Sequence, residues 1–141
     1  MSNYYDDVET CVVNTVKAAY TGATDILVVP SVGAREIETL EVPRVISVIV
    51  NAGQLTRAEQ IGSEANQPET IEVVLLIYAA GNPPKDGRSK ARDMLLACRD
   101  ALRGLVPATG CDALRPTAWT MLGTLKTGVL FRQVWATSQI A

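Results

Sequence analysis

Four arginines, Arg88, Arg92, Arg99 and Arg103, fall within about 60° of one another when residues 87–103 are wound into a helix. Guanidinium groups stay charged and grip carboxylates or phosphates through a planar fork, so the chemistry such a row could do is anion recognition. Asp86, Asp93 and Asp100 make a separate acidic row about 80–100° around the same wheel, and the remaining arc is apolar. A solvated charged face is the ordinary reading of this pattern. The alternative is a binding stripe for an acidic surface or for nucleic acid. A net charge of −2 and a pI near 5.1 argue against nucleic acid.

Other chemistry is thin. There is no histidine, which removes Ser-His-Asp and Cys-His catalysis and most mixed metal sites. Cys11, Cys98 and Cys111 form no C-x-x-C pair, and an odd count suits reduced thiols used as small hydrophobes. The carboxylate pairs Asp6-Asp7 and Glu36/Glu38 sit on a helix start and an edge segment, with nothing to set them opposite each other in a pocket. Residues Gly81, Lys85, Gly87, Arg88 and Ser89 resemble a phosphate-binding loop, G-x-x-x-x-G-K-[ST]. The match fails because the glycines are one residue too far apart, Arg88 stands for the lysine, and Pro83 and Pro84 remove backbone donors. No cofactor or metal is expected, and the chain reads as a non-enzyme. A small ligand-binding domain using the 81–90 loop remains the competing class.

The elements that must position these residues follow from periodicity. Residues 4–20 predict an amphipathic helix, with Tyr5, Val8, Val12, Val16, Ala19 and Tyr20 on one arc, Asn3 as its cap and Gly22 as its terminator. A short strand at Ile26–Val29 ends at Pro30, and the acidic stretch Glu36–Leu40 reads as an edge segment. Val45–Val50 is nearly all apolar, which predicts a strand covered on both faces. Residues 51–69 turn polar and irregular, with a short helix conceivable near Thr56–Ile61; a connection this long is usually functional or mobile. Ile71–Ala80 is the clearest strand. A second helix is expected from Gly87 to Arg103, capped by Asp86, closed by Gly104, and burying Ala91, Met94, Leu95, Cys98, Ala101 and Leu102. Thr117–Leu122 and Val129–Thr137 form a hairpin across Gly123–Gly128. The order α-β-β-β-α-β-β predicts a single α+β domain over residues 1–141, with a mixed or mainly antiparallel sheet of about 4–6 strands flanked by two helices.

Composition agrees. At 141 residues, 48% apolar and 20% charged, the chain can bury about two thirds of its unfolded surface. No apolar run approaches the roughly 20 residues of a membrane span, and the first residues have neither the basic region nor the apolar core of a signal peptide. Charge is divided along the chain: residues 1–80 hold four basic and eleven acidic side chains, residues 81–141 nine basic and four acidic. A molecule with an acidic and a basic part can meet copies of itself head to tail, and such contacts close into rings where the rotation permits. Trp119, Phe131 and Trp135 lie on the C-terminal hairpin, where core packing competes with an interface role.

From Arg88 onward a family pattern emerges: Arg88-Ser-Lys-Ala-Arg92, then Leu102-Arg-Gly-Leu-Val-Pro107, then Leu114-Arg-Pro116, then Thr127-Gly-Val-Leu-Phe-Arg-Gln-Val-Trp-Ala-Thr137. A helix ending in a Leu-x-Gly-x-x-Pro turn, followed by a hairpin with an aromatic-rich last strand, resembles the tail terminators and minor tail proteins of Mu-like contractile-tailed phages and prophages. The resemblance covers the region after Arg88 well and the first 80 residues in outline. It implies an α+β subunit that forms a ring, typically a hexamer, on the head-proximal end of the tail tube, ends tube growth and prepares head joining. A head–tail connector or neck protein shares this size and ring logic. Expected partners are the chain itself, the tail tube and head–tail connector proteins, with no membrane and no specific nucleic acid; the expected locations are the host cytoplasm during assembly and the virion tail. No catalytic residue comes with the family. Arg88, Arg92, Arg99, Arg103 and Trp135 are the residues read as a subunit or tail-tube contact, and the 51–69 segment as one that orders on such contact.

Overall fold

The structure, a computed structural model, describes residues 4–52, 68–81, 84–125 and 128–140. The elements run α1 (Tyr4–Ala19), β1 (Ile26–Pro30), α2 (Ala34–Thr39), β2 (Arg44–Ala52), β3 (Pro68–Ala80), α3 (Pro84–Leu102), β4 (Arg115–Leu125) and β5 (Gly128–Ile140). The five strands form one mixed sheet in the order β1-β2-β3-β5-β4, parallel only between β1 and β2. The α+β class read from the sequence is the class observed.

Both long helices obey their apolar spacing. Val8, Val12 and Val16 of α1 are fully buried, four residues apart on one face; Ala19, placed on that arc by the pattern, is exposed at the fraying end. In α3, Ala91, Met94, Leu95, Cys98 and Leu102 are buried. Gly22 and Gly104 terminate α1 and α3 at φ +87° and +78°, as their positions predict. Helix α3 begins at Pro84, three residues before the expected start, since proline is tolerated in a first turn. Asp86 therefore lies in that first turn, where its negative charge favours the helix's positive end. The Asn3 cap and the Thr56–Ile61 helix fall outside the described residues, as does most of the 51–69 segment.

One expectation is overturned. Glu36–Leu40, read as an acidic edge segment, belongs mainly to the helix α2, with Leu40 extended just beyond it. Neighbouring parallel strands cannot be joined by a tight hairpin, so β1 and β2 need a crossover between them. Ala-Arg-Glu-Ile-Glu-Thr supplies a single helical turn or so that buries Ile37, at 1% exposure, with Ala34 half-buried beside the same core.

The sheet has two cores. Ile71, Val73, Leu75, Ile77 and Ala79 alternate along β3 toward α1 and α3, joined there by Ile46, Val48, Val129, Phe131 and Trp135. Val74, Leu76 and Tyr78 face the other way and pack with Val45, Leu130, Val134 and Ile37 of α2. Occupied faces on both sides explain why β2 and β3 read as near-continuous apolar runs rather than as alternations. The hairpin strands are longer than their apolar signal, and Gly123 is inside β4 at a register shift, not in the turn.

Sheet order also converts the charge division of the sequence into a division in space. Strands β1, β2 and β3 with α1 and α2 lie on one side; β5, β4 and α3 lie on the other. Among the described residues, the mainly acidic α1 and α2, with β1, and the mainly basic α3, β4 and β5 therefore lie toward opposite edges of the sheet.

Candidate functional site

The arginine row lies where the helical wheel sets it. Arg88, Arg92 and Arg103 are exposed on α3 and Arg99 is half-buried. Arg99 is held by Asp100, Nε to Oδ1 at 3.2 Å; among the described residues no ion pair engages Arg88, Arg92 or Arg103. The apolar arc of α3 presses on β3 and β5, which turns the arginine row away from the core and sets Arg92 near Trp119 of β4.

Between α3 and β4 runs a groove of about 330 Å³ lined by Arg92, Leu95, Leu96, Trp119 and Phe131. Its floor is β5, where Gln133 is fully buried and hydrogen-bonded through both ends of its amide. Its Nε2 donates to the Leu95 carbonyl at 3.0 Å, and its Oε1 accepts from the Trp135 indole N–H at 2.8 Å. The first bond ties α3 to β5, and the second holds the Gln133 side chain within β5, at the point where Trp119 lies across the ladder from Gln133. Satisfied buried polar groups of this kind fix one arrangement of the elements around them.

Trp135 is thus a correction to the sequence reading. Its side chain is at 0% exposure with its N–H bonded inward, so in this fold it is core and cannot present a surface. The exposed tryptophan is Trp119, at 41%, accompanied by Met121, Leu122 and Leu96. Every residue from Arg115 to Leu122 is exposed. Strand β4 is the sheet's outer strand there, with one row of backbone groups unpaired by any neighbouring strand. Sequence reasoning placed Trp119 on a strand, but an edge position is a property of the topology, and no local signal carries it.

The 81–90 loop holds no anion cradle in its described part. A Cβ on Gly81 would lie 2.1 Å from the Gly87 backbone nitrogen, and one on Gly87 would lie 2.9 Å from the Ala79 carbonyl oxygen. These glycines let the end of β3 and the start of α3 touch, which consumes the space a phosphate would fill.

The titratable groups are structural. Burial pushes the Cys98 thiol up to about 12, so it stays protonated and inert. Burial, with nearby Cys98 and Asp93 adding to it against the Arg44 charge, raises the Tyr20 phenol to about 12. Arg44 holds Asp25 through two bonds, Nε to Oδ2 at 3.0 Å and Nη2 to Oδ1 at 2.6 Å, and keeps that carboxyl below its usual range. Burial acts to raise Asp112, but hydrogen bonds from the Ser138 N–H, Thr137 and Arg115 outweigh it and lower it. Among the described residues no cluster of three or more His, Cys, Asp or Glu could hold a metal, and no helix is long and apolar enough to cross a membrane.

No protein-family model and no curated protein matches the chain. Among solved structures, the chain is similar to a chain from the virion of a native gene transfer agent particle. The superposition has a TM-score of 0.65 at 14% identity and covers 94% of each chain. At that identity the likeness is one of fold, and it extends over nearly the whole of both chains.

Proposed function

We propose that this chain is a non-enzymatic virion assembly protein of the tail-terminator type, which forms a ring on the head-proximal end of a tail tube, ends tube growth and prepares head joining. The observation that carries the reading is the end-to-end fold likeness to a chain of a gene transfer agent virion, 94% of each. Two features support it independently. The residues from Arg88 to Thr137 resemble tail terminators, and the acidic and basic flanks of one subunit suit head-to-tail contacts between copies. The lack of a catalytic constellation among the described residues is compatible with a structural role, and the packed Gly81–Gly87 contact speaks against the small-ligand alternative. By the family pattern the ring is a hexamer.

The test is to add the purified protein to polymerising tail tubes of the same phage or prophage and measure tube length by electron microscopy. Short, uniform tubes with density at one end are expected. Unaltered tube growth, with the protein instead recovered on portal or capsid complexes, would replace the terminator reading by the neck-protein one.

A further inference from the structure

We infer that the groove between α3 and β4, together with the open edge of β4, receives a second copy of this chain through that copy's acidic α1–α2 flank. The inference rests on the ring-forming role proposed above and assigns its contact surface.

The groove selects for protein rather than for a small molecule. Leu95, Leu96, Trp119 and Phe131 offer carbon surface, and Arg92 is the one charged group among the described lining residues. A small-molecule site usually adds several converging polar groups that fix orientation, whereas Gln133 beneath this one is fully buried and bonds Leu95 and Trp135. Trp119 is at 41% exposure, and no hydrogen bond among the described residues takes its indole N–H. A half-exposed tryptophan beside an arginine on an apolar patch is the composition of an interface anchor. The unpaired edge of β4 lies along the same patch and adds main-chain donors and acceptors.

Charge identifies the occupant. Arg92 lines the groove, and Arg88 and Arg103 share its row on α3; all three are exposed and in no ion pair among the described residues. On the opposite flank, Asp6 of α1, Glu36 of α2 and Glu41 are exposed and equally without an ion-pair partner there. Two copies meeting groove to groove would set arginine row against arginine row, so a two-fold contact is disfavoured. A groove-to-acidic-flank contact pairs opposite charges and uses two different surfaces, which is the heterologous geometry that propagates and can close.

The test measures solution mass by light scattering with full-length protein at low and high salt, with circular dichroism to verify folding. Wild type is expected as a salt-sensitive multimer of the 15.1 kDa chain. Trp119→Ser, Arg88→Glu/Arg92→Glu and Glu36→Arg/Glu41→Arg should each stay folded and raise the concentration for half-assembly about tenfold or more. Mixing the two charge-reversed variants should restore the multimer, because each then meets a complementary face. A folded groove variant that assembles like wild type overturns this surface while leaving the ring reading intact. A wild type that stays monomeric at every concentration and salt overturns the second copy as occupant, even if it still arrests tail-tube growth. Salt-dependent binding of that monomer to duplex DNA, abolished by Arg88→Glu/Arg92→Glu, would assign the row to nucleic acid instead.

Discussion

The two outer strands of the sheet are protected in different ways. Strand β1 has five residues, ends at Pro30, and is closed at its start by the Asp25–Arg44 pair, with the Arg44 guanidinium 5.8 Å from the Tyr20 ring centre. At its far end Ser31 donates to Glu9 of α1 at 2.9 Å. Shortness, proline and local ion pairing are the usual means of blunting an edge. Strand β4 has eleven residues, carries Trp119, Met121 and Leu122 exposed, and has two register shifts as its main irregularities. Yet it is mounted on β5, whose Gln133 bonds the Leu95 carbonyl of α3 and whose Val129, Phe131 and Trp135 lie in the core beneath the helices. An exposed edge on a rigid backing is what a docking strand needs, whereas β1 offers little backbone to a partner but lies on the acidic flank.

The most severe way to break this contrast is to loosen the backing. Trp135→Ala empties a fully buried site and strands Gln133 Oε1, so a loss of about 3–5 kcal/mol is expected in denaturant unfolding. A cost below about 1 kcal/mol would mean β5 is not the rigid support described. Gly81→Ala drives a methyl group into the Gly87 backbone, and overpacking of this kind costs about 1–3 kcal/mol by the same assay.

Asp112 anchors the far end of β5 by accepting from the Ser138 N–H at 2.7 Å and by pairing with Arg115 Nη1 at 2.7 Å. Asp112→Ala should cost about 1–2 kcal/mol. Asp112 and Asp25 both have folded pKa values below the ordinary carboxylate value of about 3.9. Their contribution is therefore complete above that value and is lost as the pH falls through the folded pKa values. Wild type should lose melting temperature below about pH 4, and Asp112→Asn should lose less over that window, with the difference shrinking in salt. The smallest stability effect belongs to Trp119→Ser, within about 0.5 kcal/mol of wild type, because the side chain is exposed on the outer strand. The same aromatic residue type on the same sheet face thus spans the whole range, and only the strand it occupies decides which end.

That pair marks the boundary of what the sequence reveals. Helices α1 and α3 were legible because Val8, Val12 and Val16, or Ala91, Met94, Leu95 and Cys98, repeat at helical spacing. Strands β2 and β3 were legible from apolar runs broken only by Ser47 and by Glu72. Helix α2 was not, since one buried Ile37 in six residues carries no period; the need for it arises from β1 and β2 lying parallel, a long-range fact. The arginine row was readable for the same reason as the helix beneath it. Which of Trp119 and Trp135 reaches the surface is not legible, because both sit in strand segments and which strand ends the sheet is written in topology alone.

Peptide-resolved hydrogen exchange on wild type, assembled at low salt and dissociated at high salt, tests the central claim most directly. Backbone amides of residues 115–125 should exchange readily in the dissociated protein and become protected on assembly, together with those of α1 and α2, while β3 stays protected in both states. A multimer that forms with no added protection along β4 would contradict the account.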